Sequence, residues 1–263
     1  MKQIELELVK HEYKQGQTPP QQEPNYTENV LFMENNIAVG FYLKDLPQKL
    51  INLIDIANIE FLSDRVPKSN LRRASSVQES FGLLEKGQGV TQYSCILGSI
   101  PAKAIMKRDV PNKSSVHSDK NAQTYIKAMI MAGKEAFQLI KDIAPDIAEN
   151  HIKALYERVP EKWRFSDYFT STICNYNIAA PIHRDTMNVV GCVNIIITKR
   201  LNSTGGNLYV PDYDLTFESA NNSMIVYPAW KNFHGVTEIN TTAHNGYRNS
   251  LIWYALDRFY NYG

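Results

Sequence analysis

Residues 180–188 read APIHRDTMN, which places the imidazole of His183 and the carboxylate of Asp185 two positions apart. The stretch lies between two β-rich runs, and side chains at i and i+2 of an extended segment project to one face. A second histidine, His234, follows the turn at Tyr227–Pro228 and opens another apolar run. Two histidines and one carboxylate form the facial triad that holds non-haem Fe(II) and leaves coordination positions open. The sequence therefore predicts a metal site made by these three side chains.

An arginine beyond the second histidine extends this predicted site. Arg248 lies in the otherwise apolar segment Tyr247–Leu256, and a buried guanidinium needs an anion because an unpaired buried charge is very costly. A structural salt bridge satisfies that need, and so does the carboxylate of an organic co-substrate bound bidentately. Together with the triad, a bound dicarboxylate is the better interpretation. Ser250 shares the strand face of Arg248 and can donate a hydrogen bond to the same carboxylate.

From residue 168 onward, the sequence consists of short β-type runs separated by turns. We expect strands near residues 169–178, 191–199, 206–210, 214–218, 223–228, 234–240 and 247–257. The polar cluster Asn202–Gly206 predicts a turn. Strands at this spacing without an intervening helix are typical of a sandwich or barrel, such as a double-stranded β-helix (jelly-roll). Facing strands of a barrel bring distant residues together at one mouth, where we expect the triad.

The N-terminal part mixes strands and helices. Residues 30–43 predict a β-hairpin with an Asn-Asn turn, after a Gln- and Pro-rich surface loop at residues 14–28. Apolar residues at helical spacing predict an amphipathic helix after Pro47. A long helix capped by Ser118 and a further helix opened by Pro145 are expected next. The predicted class is therefore α+β, a jelly-roll core with an N-terminal helical and strand extension.

Composition limits the classes of partner. The chain has 263 residues, of which 21% are charged, and its formal charge is +1. No global field marks a nucleic-acid binder, so any such binding depends on a local basic patch. Basic residues collect in two segments, at Arg65, Lys68, Arg72 and Arg73 and at Lys103, Lys107, Arg108, Lys113 and Lys120. The second segment is open to two interpretations, a solvated loop or a phosphate-contacting patch.

Cysteines and terminal features indicate the compartment. Cys95, Cys174 and Cys192 lack CxxC spacing, so we expect free thiols of a reducing compartment, not a disulfide framework or a zinc site. The first residues are charged and show no signal peptide, and no apolar run reaches the roughly 18 residues of a membrane span. We therefore expect an intracellular protein. The remaining histidines are expected at the surface: His11, His117, His151 and His244.

The order His-x-Asp, His and Arg-x-Ser within residues 170–257 resembles the 2-oxoglutarate/Fe(II) dioxygenase superfamily. Residues 205–208 and 225–228 are similar to its Gly-Gly-x-Leu and hydrophobic-Pro turns. More narrowly, residues 183–188, HRDTMN, are similar to the His-Arg-Asp-x-x-Asn signature of the TET/JBP family, which oxidises the methyl group of 5-methylcytosine or thymine in nucleic acid. Animal TET enzymes also carry a cysteine-rich region, which this chain lacks, so it resembles a minimal member.

The resemblance implies the cofactors Fe(II), 2-oxoglutarate and O2. The triad would hold the iron, while Arg248 and Ser250 would bind the distal carboxylate of 2-oxoglutarate. Asn175 and Tyr176, on the strand before the triad, are candidates for donating to the co-substrate or to the metal surroundings. The alternative for both is a polar residue of the core.

The resemblance also implies substrate-binding residues. Asn188 would contact the target base or its surroundings, and Arg184 belongs to the same signature; the alternative for Asn188 is an amide that caps the loop. Trp230 and Phe233 are aromatic residues near the predicted mouth that would stack on a flipped base. Core packing is the alternative for both rings.

The implied reaction is hydroxylation of the methyl group of a 5-methylpyrimidine in DNA, with 5-methylcytosine slightly favoured over thymine. It proceeds by hydrogen abstraction by a ferryl oxidant, with release of succinate and CO2. The expected organisation is one dioxygenase domain over residues 1–263, with residues 1–167 as support and DNA-contact region and residues 168–263 as jelly-roll catalytic core. The expected partner is methylated DNA, and the expected state is a monomer.

Other classes remain open. A 2-oxoglutarate oxygenase acting on a free nucleotide or on a protein side chain keeps the metal site and changes the substrate. A cupin-like protein that uses the same barrel without 2-oxoglutarate leaves Arg248 unexplained. A non-enzymatic β-sandwich module leaves the triad unexplained.

Overall fold

The computed structural model describes residues 1–70, 92–103 and 107–262. In this part of the chain, helices pack on one face of a large β-sheet and a smaller sheet packs on its other face. The expected mixed α+β class is confirmed. Arg72 and Arg73, predicted as part of a basic patch, lie outside the described residues.

Two sheets contain most of the strands. In chain order, the strands of the described residues are β1 (Lys2–Glu5), β2 (Val30–Glu34), β3 (Ile37–Leu43), β4 (Ser69–Asn70), β5 (Tyr93–Ile100), β6 (Asn112–Lys113), β7 (Ser171–Tyr176), β8 (Ala180–His183), β9 (Asn194–Leu201), β10 (Ser203–Gly205), β11 (Leu208–Val210), β12 (Leu215–Phe217), β13 (Met224–Tyr227), β14 (His234–Val236), β15 (Ile239–Thr241) and β16 (Tyr247–Tyr254). Within the described ranges, the large sheet has the order β1-β2-β3-β13-β9-β16-β7-β5-β4, with β6 paired to β5. The small sheet has the order β12-β11-β14-β8, and β10 pairs with β15.

The strands of the C-terminal part are divided between the two sheets, apart from the separate pair β10 and β15. β7, β9, β13 and β16 lie in the large sheet, whereas β8, β11, β12 and β14 lie in the small one. Strands β2, β3 and β5 belong to the same large sheet. This sheet therefore contains strands from before and after residue 167. The predicted turn at Asn202–Gly206 was only partly right: it contains β10, and Asn202 and Gly206 flank that strand at φ of 44° and 67°.

The helices form as their apolar spacing predicts. They are α1 (Gln48–Leu62), α2 (Gln123–Ile143) and α3 (Pro145–Arg158). Leu50, Ile54, Ala57 and Phe61 make the buried face of α1, and Pro145 occupies the first turn of α3, where its missing N–H costs nothing. No helix in the described part of the chain combines the length and apolar character that crossing a bilayer requires.

The predicted Ser118 cap is wrong. Ser118 ends a short 3-10 turn at Ser115–Ser118, and the N-cap position of α2 is Ala122, four residues after the expected cap. Ala122 is fully buried, so the start of α2 is set by packing of its apolar face and not by a side-chain hydrogen bond.

Strand β9 shows how the large sheet separates two cores. Ile195 and Ile197 pack into the cluster between the sheet and the helices, and Ile196 packs into the cluster between the two sheets. Because alternate side chains of a strand point to opposite faces, a continuous apolar run here reports burial on both sides. The sheet is therefore the middle of three layers.

The predicted hairpin is confirmed. β2 and β3 pair antiparallel, and Asn35 and Asn36 between them adopt φ of 53° and 61°. Two successive left-handed residues are the mark of a type I′ turn, whose twist matches that of the flanking strands, and Asn tolerates that backbone.

A long N-terminal segment, residues 6–26, covers the outer face of the small sheet; we call it the N-terminal strap. Its residues from 14 onward belong to the segment 14–28 that was predicted to be a surface loop, and the strap makes main-chain hydrogen bonds to β8. The Gly16 N–H donates to the Ile182 carbonyl and the Ile182 N–H donates to the Gln17 carbonyl, both over 2.7 Å. A Cβ on Gly235 of β14 would lie 2.6 Å from Pro19, so that glycine allows the strap to approach.

His151 on α3 was expected at the surface and is fully buried. Its Nε2 donates to the Tyr168 carbonyl over 2.6 Å and its Nδ1 accepts from the Val193 N–H over 3.1 Å. Burial lowers the pKa of His151 to about 4. The neutral ring therefore joins α3 to the segments that precede β7 and β9, and protonation would remove the acceptor for Val193.

We expect His151 to make the protein less stable in mild acid. The unfolded imidazole titrates at about pH 6.5 and the folded one at about 4, so the unfolded state binds the proton first as pH falls between these values. The free energy of unfolding is then lowered by about 2 kcal/mol between pH 7.5 and pH 5. Denaturant unfolding of His151→Gln at both pH values should show a smaller pH dependence. His244→Gln, at an exposed position, should keep the wild-type slope; an unchanged slope in His151→Gln would contradict this account.

Candidate metal centre and adjoining pocket

β8 and β14 lie side by side in the small sheet and bring two histidines together. His183 ends β8, His234 begins β14, and the two are register partners. Asp185 lies two residues beyond β8, where its N–H donates to the Ala229 carbonyl. Oδ1 of Asp185 is 3.6 Å from Nε2 of His183 and 4.0 Å from Nε2 of His234. One ligand atom from each of the three residues lies within 4.8 Å of the others, so the predicted ligands surround a space of the size of one metal ion.

Backbone carbonyls orient both imidazole rings. Nδ1 of His183 is 2.7 Å from the Pro181 carbonyl oxygen, and Nδ1 of His234 is 3.1 Å from that of Asn232. A carbonyl only accepts, so each Nδ1 carries the proton and each Nε2 keeps its lone pair for a metal. Burial, and then His183, lower the pKa of His234 to about 4, although Asp185 opposes the shift. His234 is therefore neutral at pH 7, which is the form that binds a metal.

An asparagine that was not predicted orients the carboxylate of the triad. Nδ2 of Asn194, the first residue of β9, donates to Oδ2 of Asp185 over 2.9 Å. Oδ2 is thereby engaged, and Oδ1 faces the two histidines. Such contacts behind a metal ligand fix its orientation and tune affinity. In the sequence, Asn194 only opens an apolar strand, and its role depends on a contact between segments.

Asn188 was expected to contact a substrate base. It lines the pocket beside the triad but is only 5% exposed. Its Nδ2 donates to Oδ1 of Asn194 over 2.8 Å and lies 3.4 Å from Oδ2 of Asp185. The amide is therefore committed to the ligand loop, and the alternative of a loop-capping residue describes it better.

A pocket of about 360 Å³ extends from the triad between the two sheets. Tyr227 and Tyr254 line it close to the metal site. Burial, and secondarily the carboxylate of Asp185, raise the pKa of both phenols, so they are protonated at pH 7. The walls are apolar, with side chains from both sheets: Ile173, Ile196, Leu208, Val236 and Ile252.

Arg248 also lines this pocket. Its side chain is buried, with 1% exposure, and it forms no ion pair with a carboxylate of the described residues. Nη2 donates to Ser219 Oγ over 3.1 Å, whereas Nε has no partner within the described ranges. Burial, and then Arg200, lower the pKa of Arg248 to about 9. A buried cation with a free N–H on a pocket wall calls for an anionic ligand.

Besides Arg248, two of the residues predicted to bind a co-substrate face the pocket, and the remaining one, Tyr176, does not. Asn175 and Ser250 are direct cross-strand partners on β7 and β16, and both line the pocket. Tyr176 points to the opposite face of β7, where its ring stacks on Tyr93 at 4.4 Å. Adjacent residues of a strand alternate in direction, so the prediction for Tyr176 is corrected: it packs with aromatic residues away from the site.

The residues predicted to bind substrate at the mouth form a different arrangement from the one expected. Arg184 is exposed and lines the pocket, and its guanidinium lies 4.0 Å from the ring centroid of Phe233. Phe233 and Trp230 are not among the described residues that line the pocket. The ring of Phe233 therefore packs against the guanidinium of Arg184. Trp230 is half-buried outside the pocket.

Gly206 lets the chain pass close to Arg248. Its φ is +67°, and a Cβ there would lie 2.9 Å from Cγ1 of Ile239 and 3.3 Å from Nε of Arg248. Glycine is therefore required both by the backbone and by the lack of space. This contact gives a physical reason for the Gly-Gly turn noticed in the sequence.

Replacing Asn194 by Ala should weaken metal binding because Asp185 loses the hydrogen bond that orients it. Loss of such a contact behind a metal ligand lowers affinity by about 10- to 100-fold. Titration calorimetry with Mn(II) or Zn(II) measures the change. Asn52→Ala, at an exposed position on α1, is the matched control. Equal metal affinity in Asn194→Ala and the wild type would remove Asn194 from the site.

No protein-family model matches this chain, and curated proteins give no significant match. Solved structures do match. NgTET1 in complex with 5mC DNA superposes with a TM-score of 0.57 at 13% identity, over 88% of this chain and 78% of that chain. A 2OG-Fe(II) oxygenase family protein from Burkholderia pseudomallei gives a TM-score of 0.44 at 13% identity, over 84% and 86% of the two chains. The likeness to NgTET1 shows that this chain shares its fold, which confirms the expected resemblance at the level of the fold.

Proposed function

We propose that this protein is an Fe(II)- and 2-oxoglutarate-dependent dioxygenase whose two facing sheets form a double-stranded β-helix. One observation carries the proposal: a single pocket has a two-histidine, one-carboxylate triad at one end and a buried, anion-free Arg248 at the other. This donor set fits Fe(II) with open positions. The distal end fits the second carboxylate of a dicarboxylate ligand.

Different residues would bind the iron and the 2-oxoglutarate. His183, Asp185 and His234 would hold the iron, and Arg248 and Ser250 would bind the distal carboxylate of 2-oxoglutarate. When bound, iron, 2-oxoglutarate and O2 supply the oxidation of a C–H bond to an alcohol, with release of succinate and CO2. The apolar walls exclude water from this space. Asn175 is proposed to donate to the co-substrate from β7, the strand next to β16.

The proposed substrate is a 5-methylpyrimidine in DNA, with 5-methylcytosine favoured over thymine. Support comes from the HRDTMN sequence of residues 183–188 and from the fold shared with NgTET1, which was solved with 5mC DNA. A methyl group inside a duplex is out of reach of a pocket, so the base must be flipped out of the stack. Arg184, held flat on Phe233 at the mouth, is proposed to contact the nucleotide.

The basic segments expected to contact the DNA backbone are largely engaged elsewhere. Arg65 is paired with Glu60, Arg108 donates to the Pro101 carbonyl, and Lys113 donates to Ser99 Oγ. Each of these cations already has a local partner. Backbone contact is therefore better placed at the pocket mouth.

A shallow groove adjoins the mouth. Lys10 of the N-terminal strap, Arg184, Lys231 and Asp212 line it, and Arg184 also lines the metal pocket. Lys231 is paired with Glu34, whereas Lys10 and Arg184 form no ion pair within the described residues. Two cations beside a pocket suit phosphates that flank an extruded base.

A 2-oxoglutarate oxygenase acting on a free nucleotide is the second candidate. The formal charge of +1 and the local engagement of several basic side chains favour a small substrate over a long polyanion. A protein side chain as substrate keeps the same metal site.

We further propose an intracellular monomer. Cys95, Cys174 and Cys192 are buried free thiols, which suits a reducing compartment. Size-exclusion chromatography with light scattering tests the oligomeric state directly.

The substrate is tested by incubating the protein with Fe(II), 2-oxoglutarate and DNA that carries 5-methylcytosine. Mass analysis of the nucleosides should detect 5-hydroxymethylcytosine, and succinate should form faster than with unmethylated DNA. Stimulation by a free nucleotide or a peptide but not by methylated DNA would replace the DNA assignment and keep the oxygenase. Absence of 2-oxoglutarate turnover with every substrate would overturn both.

Asp185→Ala should abolish iron-dependent succinate formation, because the triad loses its charged ligand and the metal is no longer held on one face. Succinate release and metal titration report on it together. Asp142→Ala, on the exposed face of α2, is the control and should behave as the wild type. Full activity of Asp185→Ala would remove the triad from the mechanism.

Arg248→Lys should raise the KM for 2-oxoglutarate by about tenfold or more, with a smaller effect on kcat. Lysine keeps the charge but not the planar fork that binds a carboxylate bidentately. Steady-state kinetics over a range of 2-oxoglutarate concentrations separates the two constants. An unchanged KM would contradict the distal-carboxylate role, and Arg158→Lys at the surface provides the comparison.

A further inference from the structure

Two arginines lie opposite each other where β9 pairs with β16, and one of them, Arg248, lines the pocket. Arg200 on β9 and Arg248 on β16 are direct register partners, so their side chains leave the sheet on the same face. Like charges directly opposite each other on a sheet are destabilising. Direct pairing of these two cations is therefore unfavourable unless an anion lies close to them.

Both guanidinium groups contact Ser219. Nη1 of Arg200 donates to the Ser219 carbonyl over 2.8 Å and to the Gly205 carbonyl over 3.2 Å. Nη2 of Arg248 donates to Ser219 Oγ over 3.1 Å, and that hydroxyl donates in turn to the Gly206 carbonyl over 2.7 Å. Arg200 therefore fixes the backbone of the residue whose side chain positions Arg248.

Neither guanidinium has its hydrogen-bonding capacity satisfied. Nη2 of Arg200 and Nε of Arg248 are buried, with no partner in the described part of the chain. Glu218 is the carboxylate that favours the charged form of Arg200, but it lies 3.9 Å from the Lys44 ammonium and forms no direct ion pair with Arg200. Positive charge at this end of the pocket is thus in excess over the charges that the described residues provide.

We propose that Arg200 is a positioning residue for the co-substrate: it holds Ser219 and thereby Arg248, and its charge makes this end of the pocket select a fully ionised carboxylate. Arg200 is not among the residues that line the pocket, so it acts through Arg248 and Ser219 and through its field. The proposal rests on the proposed function, since it names the selectivity of the same site for dicarboxylate over monocarboxylate oxo-acids.

The test compares two ligands that share the keto-acid end. 2-Oxoglutarate carries a distal carboxylate, and 2-oxopentanoate carries a methyl group in its place. Binding of each is measured by titration calorimetry to the Zn(II)-loaded protein, in which no turnover takes place. Arg200→Gln removes the charge and keeps an N–H donor, whereas Arg200→Lys keeps the charge. Arg158→Gln, at a surface ion pair on α3, is the matched control.

Arg200→Gln should weaken 2-oxoglutarate by about tenfold, the scale of one charge-assisted hydrogen bond, and change 2-oxopentanoate binding by less than about twofold. Arg200→Lys should recover most of the 2-oxoglutarate affinity. Equal weakening of both ligands in Arg200→Gln would reduce Arg200 to a structural residue and overturn the proposal, as would no weakening of either. Thermal unfolding of each variant reports whether the fold is kept.

Two outcomes separate this inference from the proposed function. If the wild type binds neither oxo-acid in the presence of metal, the oxygenase proposal itself fails. If the wild type binds 2-oxoglutarate and Arg248→Met abolishes its preference over 2-oxopentanoate, while Arg200→Gln keeps that preference unchanged, the oxygenase proposal stands and the role of Arg200 is wrong.

Discussion

The pairing of β8 with β14 is the constraint on which the metal centre depends. It sets His183 opposite His234, although the two are far apart in the chain. β8 is a four-residue edge strand, and such a strand holds few hydrogen bonds of its own. The N-terminal strap supplies two more through Ile182, and Gly235 leaves the space that the strap needs. The spacing between two metal ligands therefore depends on a segment without regular secondary structure.

The second constraint is the burial of charge without an internal partner. Burying Arg248 costs free energy that no carboxylate of the described residues offsets. Such an arrangement persists when something outside the chain completes it, or when the rest of the fold tolerates the loss. Ser219, Gly206 and Arg200 are all arranged around this one guanidinium. These contacts around Arg248 favour a bound anion over an accidental buried charge.

The sequence predicted the parts of the site that act as separate side chains, and it missed the parts that act through contacts across the fold. The triad was recognisable from its spacing, and Arg248 from its place in an otherwise apolar segment. Asn194 and Arg200 lie near the two ends of β9, and their contacts join segments that are distant in the chain, so the sequence alone did not indicate them. Tyr176 failed for another reason: one residue of register decides which face a side chain takes.

Outside the site, too, the sequence predicted the features that depend on local pattern and missed those that depend on distant contacts. Helix positions followed from apolar spacing, whereas the start of α2 did not follow from Ser118, because packing of Ala122 outweighs a potential cap. His151 looked like a surface residue because its environment is assembled from three distant segments. The local sequence pattern therefore predicts where the helices and strands lie. Contacts between distant segments determine the burial and the partners of the polar residues within them.

The interior of the pocket and its mouth are built from different kinds of contact. In the interior, His183, His234 and Asp185 are each held by a hydrogen bond, and the guanidinium of Arg248 donates to Ser219. The mouth is set by a cation–π contact between Arg184 and Phe233 and by lysines of the strap and of the loop before β14. Exposed contacts of this kind are weak and replaceable. Substitutions at the mouth can therefore change which molecules enter the pocket while the candidate metal ligands and Arg248 stay in place.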